Sequence, residues 1–494
     1  MARIEVGPVW AALHGTPNEI EIVHEALSVD TPDADQVPAF KTGRWDGKTM
    51  FLRRQDRQFL SGLTWRVARA LKAAGSAPEI AWRGVTLGKP ITSRLTGIDL
   101  REYQIETVDR AVLQRRMAIQ CPTGGGKTEI GFEILRRLGL PALWVTHRKE
   151  LFDQTVSRFR DRMDVEPGII IGRKFMLGPV TFGMVQTLHN VIHHEKGIFK
   201  EFQAVIFDEA HHASADTWQA VGRECSNAEY RYGLSGTLSQ VGSEVDRMKI
   251  EGLTGPTHVV ATTSALAAQG FLATPRVVIL RSDPAAYPSY EQIRQEILPD
   301  WKSDPRRLQK MGGALFRTMY ERGVVGNEPR NVLAMEVAMR HVAAGERFLI
   351  LCNRVPHAAG LGAMIRRRHP GCVVLDLDGG AKDAVRRAAL DAFRAASGSG
   401  GALLIATPFF REGVDVPQID AGMLAGGGVS DIAVLQALGR MLRPRSDKTG
   451  VLIYDFADER NNPLDKRPDK EHLAIHFSSR LALYGAQGFM VERG

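Results

Sequence analysis

The chain has 494 residues, 44% of them hydrophobic, and its 64 basic and 56 acidic side chains leave a net charge of +8. That length predicts roughly two to four domains, and the hydrophobic content is ordinary for a globular protein. No apolar run reaches the roughly eighteen residues of a membrane span, and the four cysteines (Cys121, Cys225, Cys352, Cys372) form no C-x-x-C pair, which argues against a zinc site or a disulfide framework. The opening "MARIEVGPVW" lacks a charged-then-apolar leader. The expected location is therefore cytoplasmic, in a bacterium or a phage-infected host.

Charge is uneven along the first hundred residues. Residues 1–40 carry one basic and seven acidic side chains, whereas 41–94 carry twelve basic and three acidic ones. The stretch "GRWDGKTMFLRRQDRQFLSGL" (43–63) puts a W-D-G-K turn before a basic, aromatic-bearing strand. Lys48, Arg53, Arg54 and Arg57, beside Trp45 and Phe51, mix cations and aromatics as nucleic-acid binders do. The blander expectation for Trp45 is packing within its turn. This part reads as a small α+β module over 1–95.

From about 100 to 260, short apolar runs (MAIQC, ALWVT, GIIIG, VTFGM, AVIFD, YGLS) alternate with helix-like segments. From about 330 to 460 the alternation returns with RFLILCN, CVVLDLD, ALLIAT, AGMLAG and VLIYDF. Each half predicts a parallel sheet covered by helices. The expected domains are 96–280 and 331–480, with a helical linker or insertion over 281–330 and a tail over 481–494.

"CPTGGGKT" (121–128) lies between a strand-like and a helix-like run. It matches G-x-x-x-x-G-K-[ST] except that Cys121 replaces the first glycine. Gly124, Gly125 and Gly126 let backbone N–H groups turn towards phosphates at a helix N-terminus. Lys127 is expected on the β- and γ-phosphates of ATP and the Thr128 hydroxyl on Mg²⁺. In "VIFDEAHH" (205–212) an apolar strand runs into two carboxylates. Asp208 is placed to hold Mg²⁺ and Glu209 to take a proton from the attacking water. The adjacent His211 and His212 should point apart, which argues against a metal pair. Only the first half has such a loop. Arg440 and Arg443, at i and i+3 of "QALGRMLRP" (436–444), share a helix face and suit the neutralisation of transition-state charge, with Gln436 orienting the water.

Taken in order, these motifs resemble those of superfamily 2 helicases and translocases, over about 100–460. The 43–63 stretch is similar to the N-terminal module of phage UvsW-type and XPB-related helicases. The resemblance implies two tandem RecA-like parallel-sheet domains behind an N-terminal DNA-binding module. It implies that Arg101 and Gln104 of "LREYQ" contact the base, and that Thr123, Gly413 and Asp415 join the nucleotide site. His211, with Ser235 and Thr237 of "LSGT", would couple hydrolysis to movement. Arg148, Gln186, Thr187, Asn353, Arg354 and Thr407 would meet nucleic acid. The implied activity is ATP-dependent, 3′-to-5′ translocation that unwinds or remodels branched DNA, with single-stranded and branched duplex DNA as the partners and the 1–95 module setting substrate choice. The alternatives are an RNA helicase, a translocase subunit of a restriction system, or a nucleic-acid binder with a dead ATPase. Cys121, and Gly236 where the family has alanine, are the departures.

Overall fold

The computed structural model describes residues 2–82, 84, 86–297, 305–377, 383–396, 401–407, 419–428, 450–458 and 472–493. The chain divides into two compact units, Met1–Ala261 and Thr262–Gly494. Among the described residues, no helix is long and apolar enough to cross a membrane.

In the first unit the six apolar runs become buried strands of one eight-stranded sheet. Its spatial order is Lys174–Met176, Gly168–Ile171, Val180–Met184, Ala142–Thr146, Ala204–Asp208, Tyr230–Ser235, Arg116–Gln120 and Thr257–Val259. Every pairing is parallel except the first, an antiparallel hairpin at the edge. Separate apolar clusters cover its two faces, one around Ile119, Ile134 and Trp144 and the other around Val145, Phe207 and Trp218. Burial on both faces is why these strands read as continuous apolar runs and not as alternating ones.

Among the described residues the second unit holds a seven-stranded sheet whose pairings are all parallel. Its order is Val374–Leu377, Ala402–Ala406, Arg347–Leu351, Ala421–Leu424, Gly450–Phe456, Thr274–Leu280 and Met490–Arg493. Two of these strands correct the expected boundaries. Thr274–Leu280, assigned above to the first α/β domain, pairs along its whole length with Gly450–Phe456. Met490–Arg493, assigned to a tail, pairs with Thr274–Leu280. The pairing, not the polarity of 281–330, sets the border. Two helices of the expected linker, Tyr290–Ile297 and Pro305–Tyr320, are present. Tyr320 packs with Tyr287, Val324 and Leu473 inside the second unit.

The N-terminal module has a mixed sheet in the order Gln58–Leu60, Trp10–His14, Arg3–Val6 and Glu79–Trp82, with helices Pro17–Ala26 and Thr64–Ala73. It is built into the first unit. Its apolar core includes Met248 of the helix Glu244–Thr254. Arg66 pairs with Glu251 at 2.8 Å and Glu244 at 3.0 Å. The buried Arg116, first residue of the strand leading to the phosphate loop, donates to the Gly7 and Pro8 carbonyls at 2.9 Å and to the Ser61 hydroxyl. The connecting segment is also pinned, with Ile91 N–H donating to Arg136 O at 3.1 Å and Leu95 in the first core cluster.

A β-carbon on Gly62 would lie 1.9 Å from the Glu251 carbonyl oxygen. Gly62→Ala should therefore force the module off that helix and cost about 1–3 kcal/mol, as overpacking does. Gly197→Ala, where an added carbon meets nothing within 4 Å, is the control in a urea melt. Equal midpoints would mean that the interface yields freely.

Candidate ATP and nucleic-acid site

The strand Arg116–Gln120 ends at Cys121, and the helix Lys127–Leu138 begins six residues on. Between them Gly124 and Gly126 take φ of +85° and +83°, a region that β-carbons disfavour. Gly126 is doubly required, because a β-carbon there would sit 2.1 Å from Gln104 Nε2. The "LREYQ" segment is bonded to this loop. Tyr103 OH and Gln104 Nε2 both donate to the Gly125 carbonyl, at 2.8 and 3.0 Å. Gln104 Oε1 accepts from Arg101 N–H at 2.8 Å. Gln104 is thus buried with both ends of its amide bonded inside the protein, where a base contact was expected. Tyr103, absent from the expected set, takes part equally.

The departures from the family pattern leave this geometry intact. Cys121 is buried, its N–H donates to Ser235 O at 3.0 Å, and burial pushes its thiol up to about 11, so it is a filler and not a nucleophile. A methyl group on Gly236 would make only ordinary contacts, 3.5 Å from Lys127 Nζ, 3.6 Å from Cys121 O and 3.7 Å from Thr123 Oγ1. Those distances also show the Ser235–Thr237 turn closing over the Lys127 ammonium and Thr123.

Asp208 ends the strand Ala204–Asp208 and is buried. Its Oδ2 accepts from Trp144 Nε1 at 3.4 Å and its Oδ1 from Glu209 N–H at 3.0 Å. Burial first, then the neighbouring Glu209 charge, push its carboxyl well above the ordinary range, and Lys127 only partly opposes them. A buried carboxylate in that position has the electrostatic deficit that a divalent cation removes. The donor set therefore fits Mg²⁺. Glu209 has φ of +51°, sparsely populated for a residue with a side chain and frequent at functional sites.

His211 Nδ1 lies 2.9 Å from Ser235 Oγ and 3.4 Å from Glu209 Oε2. Ser235 Oγ also accepts from Thr237 N–H at 3.2 Å. The acid and the three expected coupling residues thus form one group of neighbours, with His211, Ser235 and Thr237 hydrogen-bonded and Glu209 alongside. The two histidines do not diverge as expected. Ala210–His212 is a 3-10 turn, and the His211 and His212 rings are 4.2 Å apart, with His147 a further 4.3 Å from His212. Among the described residues no group of side chains could hold a metal in the manner of a histidine cluster.

His147 faces the other function. Its ring accepts from Arg148 Nε at 3.2 Å, and its carbonyl accepts from Gln186 Nε2 at 3.1 Å. Thr187 Oγ1 accepts from Gly172 N–H at 3.3 Å. So Arg148, Gln186 and Thr187 gather at the C-terminal ends of adjacent parallel strands, where open α/β sheets place ligands. His147 is not singled out in the sequence, and His212 only as an unsuitable metal ligand, because only folding brings the two together.

The second unit agrees less well with expectation. Thr407 is buried at 2% exposure. Asn353 donates its amide to the Gly426 carbonyl at 2.6 Å. Both serve the packing at the strand ends, and of the three expected contacts only Arg354 presents an exposed charge, its guanidinium 5.6 Å from the Tyr320 ring centre. A buried ionic group lies nearby and was not foreseen. Arg480 pairs with Asp455 at 2.8 Å and Arg330 with Asp458 at 2.8 Å. These arginines also hold the Gly428 and Ala425 carbonyls, fixing the chain just before residue 429. Gly413, Asp415, Gln436, Arg440 and Arg443 lie outside the described residues.

In the N-terminal module the W-D-G-K segment is a turn. Trp45 Nε1 donates to Lys48 O at 2.9 Å, the ring packs edge-on against Phe40, and Gly47 has φ of +80°. The expected basic strand is not continuous. Strands Lys48–Met50 and Gln58–Leu60 flank a turn that carries Arg53, Arg54 and Arg57. Lys48 and these three arginines are exposed, but Arg53 pairs with Asp56 at 2.6 Å and Arg54 with Glu21 at 3.2 Å.

Comparison with known proteins agrees with this geometry. Residues 97–240 match the family "Type III restriction enzyme, res subunit", and residues 330–445 match "Helicase conserved C-terminal domain". The DNA 3'-5' translocase XPB2 of Sulfurisphaera tokodaii is 24% identical over 72% of this chain and 81% of its own length. The ATP-dependent DNA helicase uvsW of Enterobacteria phage T4 is 22% identical over 92% of this chain and 90% of its own. The fold is shared with a DNA-bound ATP-dependent Type ISP restriction-modification enzyme, LlaBIII, at a TM-score of 0.61 and 15% identity, over 86% of this chain and 34% of that one. Such helicases use ATP, typically with Mg²⁺, and act on nucleic acid. With its Gly-rich loop, acid pair and two parallel-sheet domains, the chain is an ATP-dependent superfamily 2 helicase that resembles UvsW and XPB.

Proposed function

We propose that the chain is a 3′-to-5′ DNA motor that remodels branched DNA such as forks, displacement loops and junctions. The observation that carries the motor is a run of contacts from Glu209 to His211, through the adjoining rings of His211, His212 and His147, to Arg148 and Gln186, both bonded to His147. It joins the hydrolytic residues to the residues placed for nucleic acid within a single unit. Lys127 neutralises the β- and γ-phosphates, and Glu209 takes the proton of the attacking water. Asp208 and the Thr128 hydroxyl would hold Mg²⁺, whose charge offsets that of the phosphates. Arg101 is left as the base-side contact, since Gln104 is engaged by the loop. The roles of Gly413, Asp415, Gln436, Arg440 and Arg443 rest on the resemblance alone, the two arginines as neutralisers of transition-state charge.

The preference for branched DNA is supported by the module built into the first unit, with Lys48, Arg53, Arg54 and Arg57 exposed on it. Polarity is supported by the relatives, which include a 3'-5' translocase. A restriction-type duplex translocase is the second reading, favoured by the match of residues 97–240. Steady-state ATPase rates with single-stranded DNA, forked DNA, a four-way junction, linear duplex and RNA decide between them. Forks and junctions should stimulate most. Greatest stimulation by linear duplex would favour the restriction-type reading, and by RNA an RNA helicase.

A further inference from the structure

Residues 172–177, Gly-Arg-Lys-Phe-Met-Leu, are all exposed. Phe175, Met176 and Leu177 show 44%, 51% and 47% of their surface. They form the turn and outer strand of the hairpin at one edge of the first unit's sheet, with Phe175 opposite Ile170 and Met176 opposite Ile169. Successive side chains of a strand point to opposite faces. A strand packed on one face would hide either Phe175 or Met176, and this one hides neither. Edge strands are ordinarily blunted by charge, proline or a bulge. Here the charges, Arg173 and Lys174, stand at the tip instead, and the apolar side chains follow them.

Position says what meets this hairpin. Its turn is tied to the nucleic-acid side of the unit, since Gly172 N–H donates to the Thr187 hydroxyl. Thr187 follows Gln186, whose amide reaches the carbonyl of His147 beside Arg148. A surface continuous with that set, with two cations at its tip and an aromatic and a thioether behind them, has the chemistry of a phosphate contact joined to a base-stacking wedge.

We propose that the 172–177 hairpin is a further nucleic-acid site that engages DNA where duplex opens into single strands. Arg173 and Lys174 meet phosphates, and Phe175 and Met176 lie against exposed base faces. This rests on the reading above that DNA is the track. The hairpin carries strand separation and leaves ATP turnover to the loop and acid pair.

The test uses the full chain with Phe175→Ala/Met176→Ser. Inserted wedge residues hold a base step unstacked, so without them fork unwinding should fall by at least about 10-fold while ATPase activity stimulated by single-stranded DNA stays within about 2-fold. Phe175→Trp, which still stacks, should unwind normally. A fork with 2-aminopurine at its junction should change fluorescence with the wild type and not with the double variant. Arg173→Gln/Lys174→Gln should flatten the salt dependence of fork binding by up to about 1.8 in log–log slope, about 0.9 per duplex phosphate contact. Normal unwinding by the double variant would overturn the proposal. So would a parallel fall in unwinding and ATPase with an unchanged melting curve. Dissociation of a wild-type dimer on substitution, with unwinding kept, would make the strand a protein interface. Should no DNA stimulate the wild-type ATPase, the DNA reading falls first and the hairpin proposal with it.

Discussion

Glu209→Gln should bind ATP with near-normal affinity and hydrolyse it about 10²–10⁴-fold more slowly, the usual cost of losing a positioned general base. The amide keeps the shape of the carboxylate and its neighbourhood to His211 and Ser235, so the backbone at φ of +51° has no reason to relax. It loses the capacity to accept the water's proton. Neutralising Glu209 also removes the second cause that pushes Asp208 upward, so ground-state binding of nucleotide should not weaken. Slow turnover with tight nucleotide should prolong residence on DNA. The measurement is a nucleotide dissociation constant beside kcat on single-stranded DNA. Weakened nucleotide with unchanged kcat would assign Glu209 to binding and remove it from the chemistry.

Lys127→Ala should lose turnover by at least about 10²-fold, the scale of removing one preorganised charge from a phosphoryl-transfer site. Three features of the site depend on that ammonium. Its residue opens the helix that follows the Gly-rich loop, it lies beneath the Ser235–Thr237 turn, and it opposes the upward push on Asp208. Its loss should therefore weaken nucleotide binding as well, in contrast with Glu209→Gln. DNA binding at low salt should survive, because Arg148, Gln186 and Thr187 lie elsewhere in the unit. Near-normal DNA-stimulated hydrolysis by Lys127→Ala would remove the motor assignment.

Much of this was legible in the chain. Parallel strands buried on both faces announce themselves as apolar runs, and all eleven predicted runs are strands. The strands that escaped are short or at sheet edges, or, like Thr274–Leu280, carry a proline and an arginine near their start. The phosphate loop and acid pair were readable because their chemistry is local, within eight residues each. What could not be read depends on convergence. His147 meets His212, Tyr103 reaches Gly125, and Arg330 and Arg480 gather Asp455 and Asp458, all from distant stretches. The depth of Thr407 and the Asn353 bond to Gly426 escaped for the same reason, since sequence shows a polar residue in a motif and not how it is packed. The basic stretch of the module differs from expectation in shape only, since composition could not show that Arg53 and Arg54 sit on a turn with acidic neighbours.

Arg116 has a consequence for how such a chain can be recombined. Its guanidinium grips the module's backbone, while its strand runs straight into the Gly-rich loop. The module is thus not a cassette hung on a finished engine. A chimera joined near residue 95 would pair an arginine built for one partner with the carbonyls of another and leave buried donors without acceptors. A graft exchanging residues 1–261 as one piece keeps every such contact with its own partner. Residues 1–261 are therefore the block that moves whole, and a change confined to the module's outer surface leaves these contacts untouched.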